Sequence, residues 1–298
     1  MHRSLSVDVV KNVRSGKIMS GKLYLCATPI GNLEDITLRV LRTLKEVDLI
    51  AAEDTRNSIR LLNHFEIRTP LTSYHEYNKF EKGRQLIEKL SNGENIALIT
   101  DAGTPAISDP GQELVRMCMD AGIEVTSLPG ACACITALTV SGKSTRRFCF
   151  EAFLPTDKKE RIRILEELKQ ETRTIVLYAA PHHLTDTLEE LAEVLSDRSA
   201  TLVRELTKVH ESILESTLSE LIQKYRNEKP MGECVLVISG RDPRDKEEES
   251  RREWDSLSLE EHVSMYEAMG KTRKDAMRQA ASDRGMTKRD VYQALMKK

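Results

Sequence analysis

The sequence contains no hydrophobic run that approaches the roughly 20 apolar residues needed to cross a bilayer, and no secretory signal follows its first Met. We therefore expect a cytoplasmic protein with no membrane partner. A large charge of one sign is also lacking. The formal net charge is −2 over 298 residues, which excludes a globally polycationic nucleic-acid binder and leaves only a local basic patch. Because 40% of the residues are hydrophobic and 31% are charged, a folded core is expected.

Paired cysteines are missing as well. The six cysteines include no Cys-x-x-Cys motif and lie mostly within apolar stretches, a pattern that favours buried, reduced thiols in a cytosolic protein. Cys132 and Cys134 are two residues apart, but no second pair or suitably spaced histidine completes a set of metal ligands. We expect no metal.

One stretch that is present stands out. Residues 96–99 predict a short buried strand, which runs into a turn with two glycines and two prolines before an apolar helical pattern resumes at Leu114. Gly103 and Gly111 allow positive φ and close approach of a ligand. An ordinary strand-to-helix connection is an equally good interpretation of this segment by itself. Similar loops at two other strand ends favour a ligand site at one edge of a sheet.

Apolar and amphipathic segments alternate from residue 23 to residue 140, which predicts a mainly parallel sheet with helices on both faces. A second α/β unit begins near Phe148, and two such units side by side form a cleft, a favoured place for a ligand. The expected fold class is therefore α/β. The expected divisions are a disordered extension (1–20), an N-terminal α/β domain (21–145), a C-terminal α/β domain (146–241), and an acidic linker with a basic, helix-turn-helix-like tail (242–298).

The tail changes its charge along the chain. Residues 242–267 hold ten Asp or Glu and four Lys or Arg, whereas residues 271–298 hold nine Lys or Arg and three Asp or Glu. The basic part predicts a helix, a glycine-containing turn and a second helix capped by Thr287. A basic face of this kind binds phosphates. The alternative is a module for packing or dimerisation.

Five motifs follow one another in a fixed order. They are Thr28-Pro-Ile-Gly-Asn32, Ala52-Glu-Asp-Thr-Arg56, Thr100-Asp-Ala-Gly-Thr-Pro105 with Ser108-Asp-Pro-Gly111, Leu128-Pro-Gly130, and Arg204-Glu-Leu-Thr-Lys208. Together they resemble the tetrapyrrole methylase superfamily, and within it the branch that methylates the 2′-hydroxyl of a cytidine in small-subunit ribosomal RNA. The resemblance covers about residues 23–240. It implies two α/β domains with S-adenosylmethionine in the cleft between them, ribosomal RNA or the small ribosomal subunit as partner, and a homodimer.

The first and third motifs separate this chain from other members of that superfamily. Corrin and porphyrin methylases typically carry Gly-x-Gly-Pro-Gly after the first strand and Gly-Asp-Pro in the third loop. This chain has Thr28-Pro-Ile-Gly-Asn32 and Gly103-Thr-Pro105 instead. The difference points away from tetrapyrrole substrates and toward RNA.

The resemblance also implies a set of cofactor-binding residues. Matched motif by motif, they are Pro29, Ala102, Gly103, Thr104, Ile107, Cys132, Ala133, Ala179 and Leu206. Most are small, and small residues let a ligand with a carboxylate and a ribose lie against backbone N–H and C=O groups.

Attack of a ribose hydroxyl on an activated methyl group needs alignment and the removal of one proton. The candidate catalytic residues are Glu53, Asp54 and Arg56, with Lys208 from the second unit. An ion pair between Glu53 and Arg56 that only shapes the loop is the structural alternative. His75 is a further possible base, although a lone histidine is more often structural.

Lys208 and its neighbour Glu205 also have two interpretations: contact with the RNA backbone, or capping of a helix. Two other functions stay open at this point. One is a methyltransferase for a tetrapyrrole, a corrin or another small molecule, and the other is a non-catalytic nucleic-acid-binding sensor.

Overall fold

The computed structural model describes residues 20–228, 230–242, 254 and 257–296. The extension predicted at residues 1–20 lies outside the described residues except for Ser20, and so does most of the acidic stretch after Asp242.

The first sheet has five strands in the order β3-β2-β4-β1-β5. Every pairing within it is parallel, as the alternation of the sequence predicts. Its strands are β1 (Lys22–Cys26), β2 (Leu49–Ala52), β3 (Leu71–Ser73), β4 (Ile96–Ile99) and β5 (Glu124–Leu128).

Five helices follow these strands: α1 (Leu38–Glu46), α2 (Thr55–His64), α3 (Lys79–Ser91), α4 (Gly111–Asp120) and α5 (Ala133–Val140). The side chain of Thr37 caps α1 by accepting the amide N–H of Val40 at 3.2 Å. Along β4, Ile96 and Leu98 pack into one buried cluster and Ala97 and Ile99 into another. Since neighbouring residues of a strand point to opposite faces, helices cover both faces of this sheet.

The second sheet is mixed. Its strands are β6 (Phe148–Phe153), β7 (Thr174–Ala179), β8 (Ser199–Arg204), β9 (Ser212–Thr217) and β10 (Cys234–Ile238), in the order β6-β7-β10-β8-β9. Only β6 and β7 are parallel, and the other three pairings are antiparallel. Helices α6 (Lys158–Lys169), α7 (Leu184–Leu195) and α8 (Leu218–Asn227) complete this unit.

Two contacts join the sheets and fix the cleft between them. Helix α5 follows the first sheet but packs on the second, where Ala137 and Leu138 share a buried cluster with Val176 and Val235. On the other side, Gly31 approaches the loop after β8 so closely that a Cβ atom would lie 2.8 Å from the carbonyl oxygen of Leu206. A side chain at residue 31 would therefore push the two units apart.

The tail forms a module of three helices, α9 (Leu259–Ala268), α10 (Arg273–Asp283) and α11 (Lys288–Met296). Helices α10 and α11 with the turn at Gly285 match the predicted helix-turn-helix pattern, and the Thr287 hydroxyl accepts the amide N–H of Asp290 at 3.2 Å. Arg284 holds the module together by donating to the carbonyl oxygens of Trp254 and Leu257 at 2.5 and 2.6 Å. Within the parts of the chain that the structure describes, no helix is long and apolar enough to cross a membrane.

Candidate active site

A cavity of about 350 Å³ lies between the two sheets. The loops at the carboxyl ends of β2, β4 and β5 form one wall, with Glu53, Thr104 and Cys132 among the lining residues. The end of β7 and the beginning of β10 form the other wall, with Tyr178 and Glu233. Ligands of parallel α/β sheets bind at this edge, beyond the carboxyl ends of the strands.

Seven of the nine residues predicted to bind the cofactor line this cavity: Ala102, Gly103, Thr104, Ile107, Cys132, Ala133 and Ala179. Leu206 instead belongs to the buried cluster behind the wall, beside Ile30. Pro29 precedes that isoleucine and is not among the lining residues. The motifs therefore bring most of the predicted set together, and the binding role of each residue stays a prediction.

Gly103 is the turning point of the loop after β4. Its φ is +89°, and a Cβ atom there would lie 3.4 Å from the side chain of Ile30 and 3.6 Å from the carbonyl oxygen of Ala131. Its backbone exchanges two hydrogen bonds, of 2.9 and 3.1 Å, with Thr28, while the Thr104 hydroxyl donates to Ala131 at 2.9 Å. The loops after β1, β4 and β5 are thus held to one another at the cavity.

The same loop contains two residues in the left-handed region, Ala106 at φ 69° and Ser108 at φ 67°. Such conformations are uncommon without glycine, and the surrounding structure must hold them. Asp109 does so here, because its Oδ1 accepts the amide N–H groups of Ala106 and Gly111 at 3.0 and 2.7 Å.

Glu53 is the only one of the four predicted catalytic residues among the lining residues of the cavity. Its carboxylate is half-buried, and its Oε2 accepts a hydrogen bond of 2.6 Å from the Thr100 hydroxyl. This contact connects the ends of β2 and β4.

The ion pair considered between Glu53 and Arg56 is not present. Arg56 pairs with Asp54 instead, through Nη2 to Oδ2 at 2.6 Å and Nε to Oδ1 at 3.1 Å. The hydrogen bonds from Arg56 lower the pKa of Asp54 to about 2. Asp54 also begins α2, because its Oδ1 accepts the amide N–H of Arg56 at 2.8 Å. This explains the difference: Asp54 faces the helix that follows, while Glu53 faces Thr100.

Lys208 lies beside the cavity. Its Nζ donates to Oε1 of Glu205 at 2.9 Å and to Oε2 of Glu233 at 3.1 Å, and Glu233 is a lining residue. Lys208 therefore connects the loop after β8 to the loop before β10. His75, also considered as a base, is not among the lining residues, and its Nε2 lies 3.2 Å from Nδ2 of Asn78.

Cys132 begins α5 and lines the cavity. Its Sγ lies 3.4 Å from Sγ of Cys134. The hydrogen bond from Cys134, with the amide N–H groups of the first turn of α5, lowers the pKa of the Cys132 thiol to about 6. Among the described residues no group of three or more His, Cys, Asp or Glu is placed to hold a metal ion.

Sequence reasoning missed several lining residues from the second sheet, notably Phe153, Tyr178 and Glu233. Phe153 and Tyr178 have ring centroids 5.4 Å apart, and burial raises the pKa of Tyr178. Both lie at the carboxyl ends of their strands, and Tyr178 directly precedes Ala179, which the motifs do mark. That position was the available signal.

Comparison with known proteins places the chain in a family. The family model described as Tetrapyrrole (Corrin/Porphyrin) Methylases matches residues 22–222. The chain belongs to the tetrapyrrole methylase family. It is 50% identical to the Ribosomal RNA small subunit methyltransferase I of Halalkalibacterium halodurans over 91% of this chain and 93% of that protein. The protein of the same name from Bacillus subtilis is 48% identical over 94% of this chain and 96% of its own length.

A third relative is shorter. The Ribosomal RNA small subunit methyltransferase I of Thermotoga maritima is 45% identical, and its whole length matches 74% of this chain. About a quarter of this tetrapyrrole methylase family member therefore has no counterpart in that relative.

Solved structures confirm the fold. Diphthine synthase superimposes with a TM-score of 0.57 at 15% identity, over 74% of this chain and 90% of that one. The uroporphyrin-III-C-methyltransferase of Thermus thermophilus superimposes with a TM-score of 0.53 at 20% identity, over 73% and 94%. The two α/β units with a cleft between them are thus the fold of this family.

Proposed function

We propose that this protein transfers a methyl group from S-adenosylmethionine to the 2′-hydroxyl of a cytidine in small-subunit ribosomal RNA. The observation that carries the proposal is near-full-length identity of 48–50% to proteins named Ribosomal RNA small subunit methyltransferase I. The uroporphyrin-III-C-methyltransferase and diphthine synthase structures have only the fold in common with this chain, at 20% and 15% identity. The alternative of a non-catalytic sensor has no specific observation in its favour.

The cavity fits S-adenosylmethionine by its size and its mixed lining. Small residues such as Ala102, Gly103 and Ala133 leave room along the backbone. The rings of Phe153 and Tyr178 offer an apolar wall for the adenine ring of the cofactor. Glycine is favoured at residue 103 by its φ of +89°, whereas a Cβ atom there would make only ordinary van der Waals contacts with Ile30 and Ala131. When bound, S-adenosylmethionine supplies an activated methyl group on a sulfonium.

Glu53 is the group best placed to take the proton from the ribose hydroxyl. Thr100 holds Oε2 of its carboxylate, and a substrate hydroxyl would then donate to Oε1. The carboxylate of Glu53 would accept the proton that the ribose hydroxyl loses when its oxygen receives the methyl group. Asp54 is a poorer base, because Arg56 keeps its pKa near 2 and a base of such low pKa accepts a proton weakly at neutral pH.

A homodimer and a cytoplasmic location complete the proposal. Both follow from the family resemblance and from a ribosomal substrate. The tail would then add affinity for the subunit rather than chemistry, since the described lining residues of the active-site cavity, from Ile30 to Val235, all precede it.

The test is methyl transfer from labelled S-adenosylmethionine to small subunits that lack the modification, followed by nuclease digestion of the RNA. We expect the label in 2′-O-methylcytidine. Glu53→Gln should lower the rate by about 10²–10⁴-fold while it keeps cofactor binding. Tight cofactor binding without transfer to subunits or to naked RNA would overturn the assignment.

A further inference from the structure

A second cavity, of about 410 Å³, lies at the opposite edge of the second sheet. We call it the arginine cavity and define it by Arg146, Arg147, Thr172, Arg173, Ser239 and Gly240. These residues precede β6, precede β7 and follow β10. The active-site cavity lies at the other end of the same two central strands, near Ala179 and Cys234.

The charges of the arginine cavity are not balanced. Arg173 is neutralised by Glu171, through Nε to Oε1 at 2.9 Å and Nη2 to Oε2 at 2.5 Å. Arg146 and Arg147 are both exposed, and the described part of the chain shows no ion pair with either of them. Within the described ranges, the lining residues include no carboxylate. Two positive charges therefore concentrate at one opening of a protein whose net charge is −2.

The polar groups around these charges suit a phosphate. Thr172 and Ser239 add hydroxyl groups to the lining, and guanidinium groups bind phosphate oxygens in pairs. Gly240 lets the backbone after β10 lie close to the backbone of Thr172, because a Cβ atom at residue 240 would be only 2.1 Å from the carbonyl oxygen of Thr172. No lining residue in the described chain is aromatic, so the cavity offers no ring on which a base could stack.

We propose that the arginine cavity binds the phosphate backbone of the RNA substrate at a distance from the methylated nucleotide. The proposal rests on the proposed function, since it takes RNA as the substrate. Strand β7 spans Thr174–Ala179 between the two cavities, and five steps of about 3.3 Å separate them by roughly 17 Å. At about 3.4 Å of helical rise per nucleotide, that distance is on the order of five nucleotides. The cavity thus extends the footprint of the enzyme beyond the reacting ribose.

The first test measures KM for small subunits and retention of a labelled single-stranded RNA over a series of salt concentrations. Arg146→Ala/Arg147→Ala is compared with Arg116→Ala/Arg163→Ala, which removes the same charge from side chains that are 72% and 66% exposed on α4 and α6. We expect KM to rise about tenfold or more, and the slope of log affinity against log salt to shrink by roughly 1.4, or about 0.7 per lost phosphate contact. The value of kcat and the affinity for S-adenosylmethionine should not change.

Equal KM, RNA retention and salt slope in the two double variants would overturn the proposal. If the Arg146→Ala/Arg147→Ala protein does not fold, Thr172→Glu adds a carboxylate at an exposed lining position and should weaken RNA retention in the same direction. The arginine cavity could bind free phosphate ions instead of the phosphates of RNA, and inorganic phosphate tests this alternative. A phosphate-dependent rise in melting temperature that only the arginine variant loses, with RNA retention unchanged, would identify a free-anion site and reject the RNA contact.

The same series separates this proposal from the proposed function. If the wild-type enzyme retains RNA but transfers no methyl group to subunits, the proposed function is wrong. The arginine cavity is then tested by comparing RNA retention in the two double variants. Wild-type enzyme that transfers the methyl group, with variants that match their control, would reject the cavity alone. A loss of affinity for subunits without any loss for naked RNA would assign the contact to a ribosomal protein and also reject it.

Discussion

The Thr100 hydroxyl donates a 2.6 Å hydrogen bond to Oε2 of Glu53. Thr100 follows β4 and is only 8% exposed, while Glu53 follows β2. The carboxylate at the cavity is thus oriented by a buried hydroxyl from the neighbouring strand.

Thr100→Val removes this hydroxyl with little change in volume. A hydrogen bond to a charged group contributes about 1.5–3 kcal/mol, so we expect kcat for methyl transfer to fall about tenfold or more. The affinity for S-adenosylmethionine, measured by calorimetry, should not change. Thr100→Ser keeps the hydroxyl and is the matched control. Equal rates in the Val and Ser variants would show that the contact does not orient Glu53 for the proposed proton transfer.

Cys132 should react with iodoacetamide at neutral pH. The hydrogen bond from Cys134 lowers the pKa of this thiol, so more thiolate is present at neutral pH than for an ordinary cysteine, and the alkylation rate should fall with a midpoint below the usual thiol range. Cys134→Ser should move the midpoint upward, because it weakens the hydrogen bond that lowers the pKa. Mass spectrometry of the labelled protein measures both. Cys118 is the internal control, since burial raises its pKa to about 12. S-adenosylmethionine should protect Cys132, and unhindered labelling of the saturated enzyme would place the cofactor elsewhere.

Glu171→Gln should destabilise the protein at neutral pH and not at very low pH. The hydrogen bonds from Arg173 lower the pKa of Glu171 from 4.5 to about 2. A carboxyl whose folded pKa is lowered contributes stability above its unfolded pKa and loses it as the pH falls through the folded pKa. Because Arg173 is 41% exposed, solvent screening reduces the contribution to about 1 kcal/mol. Urea unfolding at pH 7 and pH 2 measures it. If Glu171→Gln lowers the free energy of unfolding by the same amount at pH 7 and at pH 2, this explanation is contradicted.

Arg284→Ala should unfold the tail module and spare the rest of the chain. The side chain donates to three backbone carbonyl groups and to Nδ1 of His262, and leaving acceptors unsatisfied where water cannot reach them costs about 1–3 kcal/mol each. Hydrogen exchange should show faster exchange at Val291 and unchanged protection in β4. Arg278→Ala, at a side chain 73% exposed, should have little effect. Loss of protection in both regions would mean that the module and the sheets unfold together.

The sequence predicts the regular elements of this protein well, because their periodicity is local. The bounds predicted for β4, residues 96–99, match the structure residue for residue. Strand β9 was missed because Ser212–Thr217 is an edge strand in which no residue is fully buried. An edge strand of this kind has neither an apolar run nor a clear alternation, and its pairing with β8 is set by contacts that are distant in the sequence.

The residues of the candidate active site also fall into a group that the sequence can predict and a group that it cannot. Loops after parallel strands could be placed together from the sequence, since the carboxyl ends of such strands meet at one edge. Glu233 could not, because it precedes β10, which enters the second sheet antiparallel to its neighbours. The partner of Arg56 depended on which of two adjacent carboxylates faces the helix, and only side-chain direction decides that.

Helix α5 is built by the first half of the chain and packs on the sheet of the second half. Neither half is therefore an independent folding unit, because each needs the other to cover part of its apolar surface. A fragment cut between the sheets would leave one piece with an apolar helix in water and the other with Val176 and Val235 uncovered. We expect the two pieces to be insoluble when produced apart and to regain methyl transfer only when they are produced together.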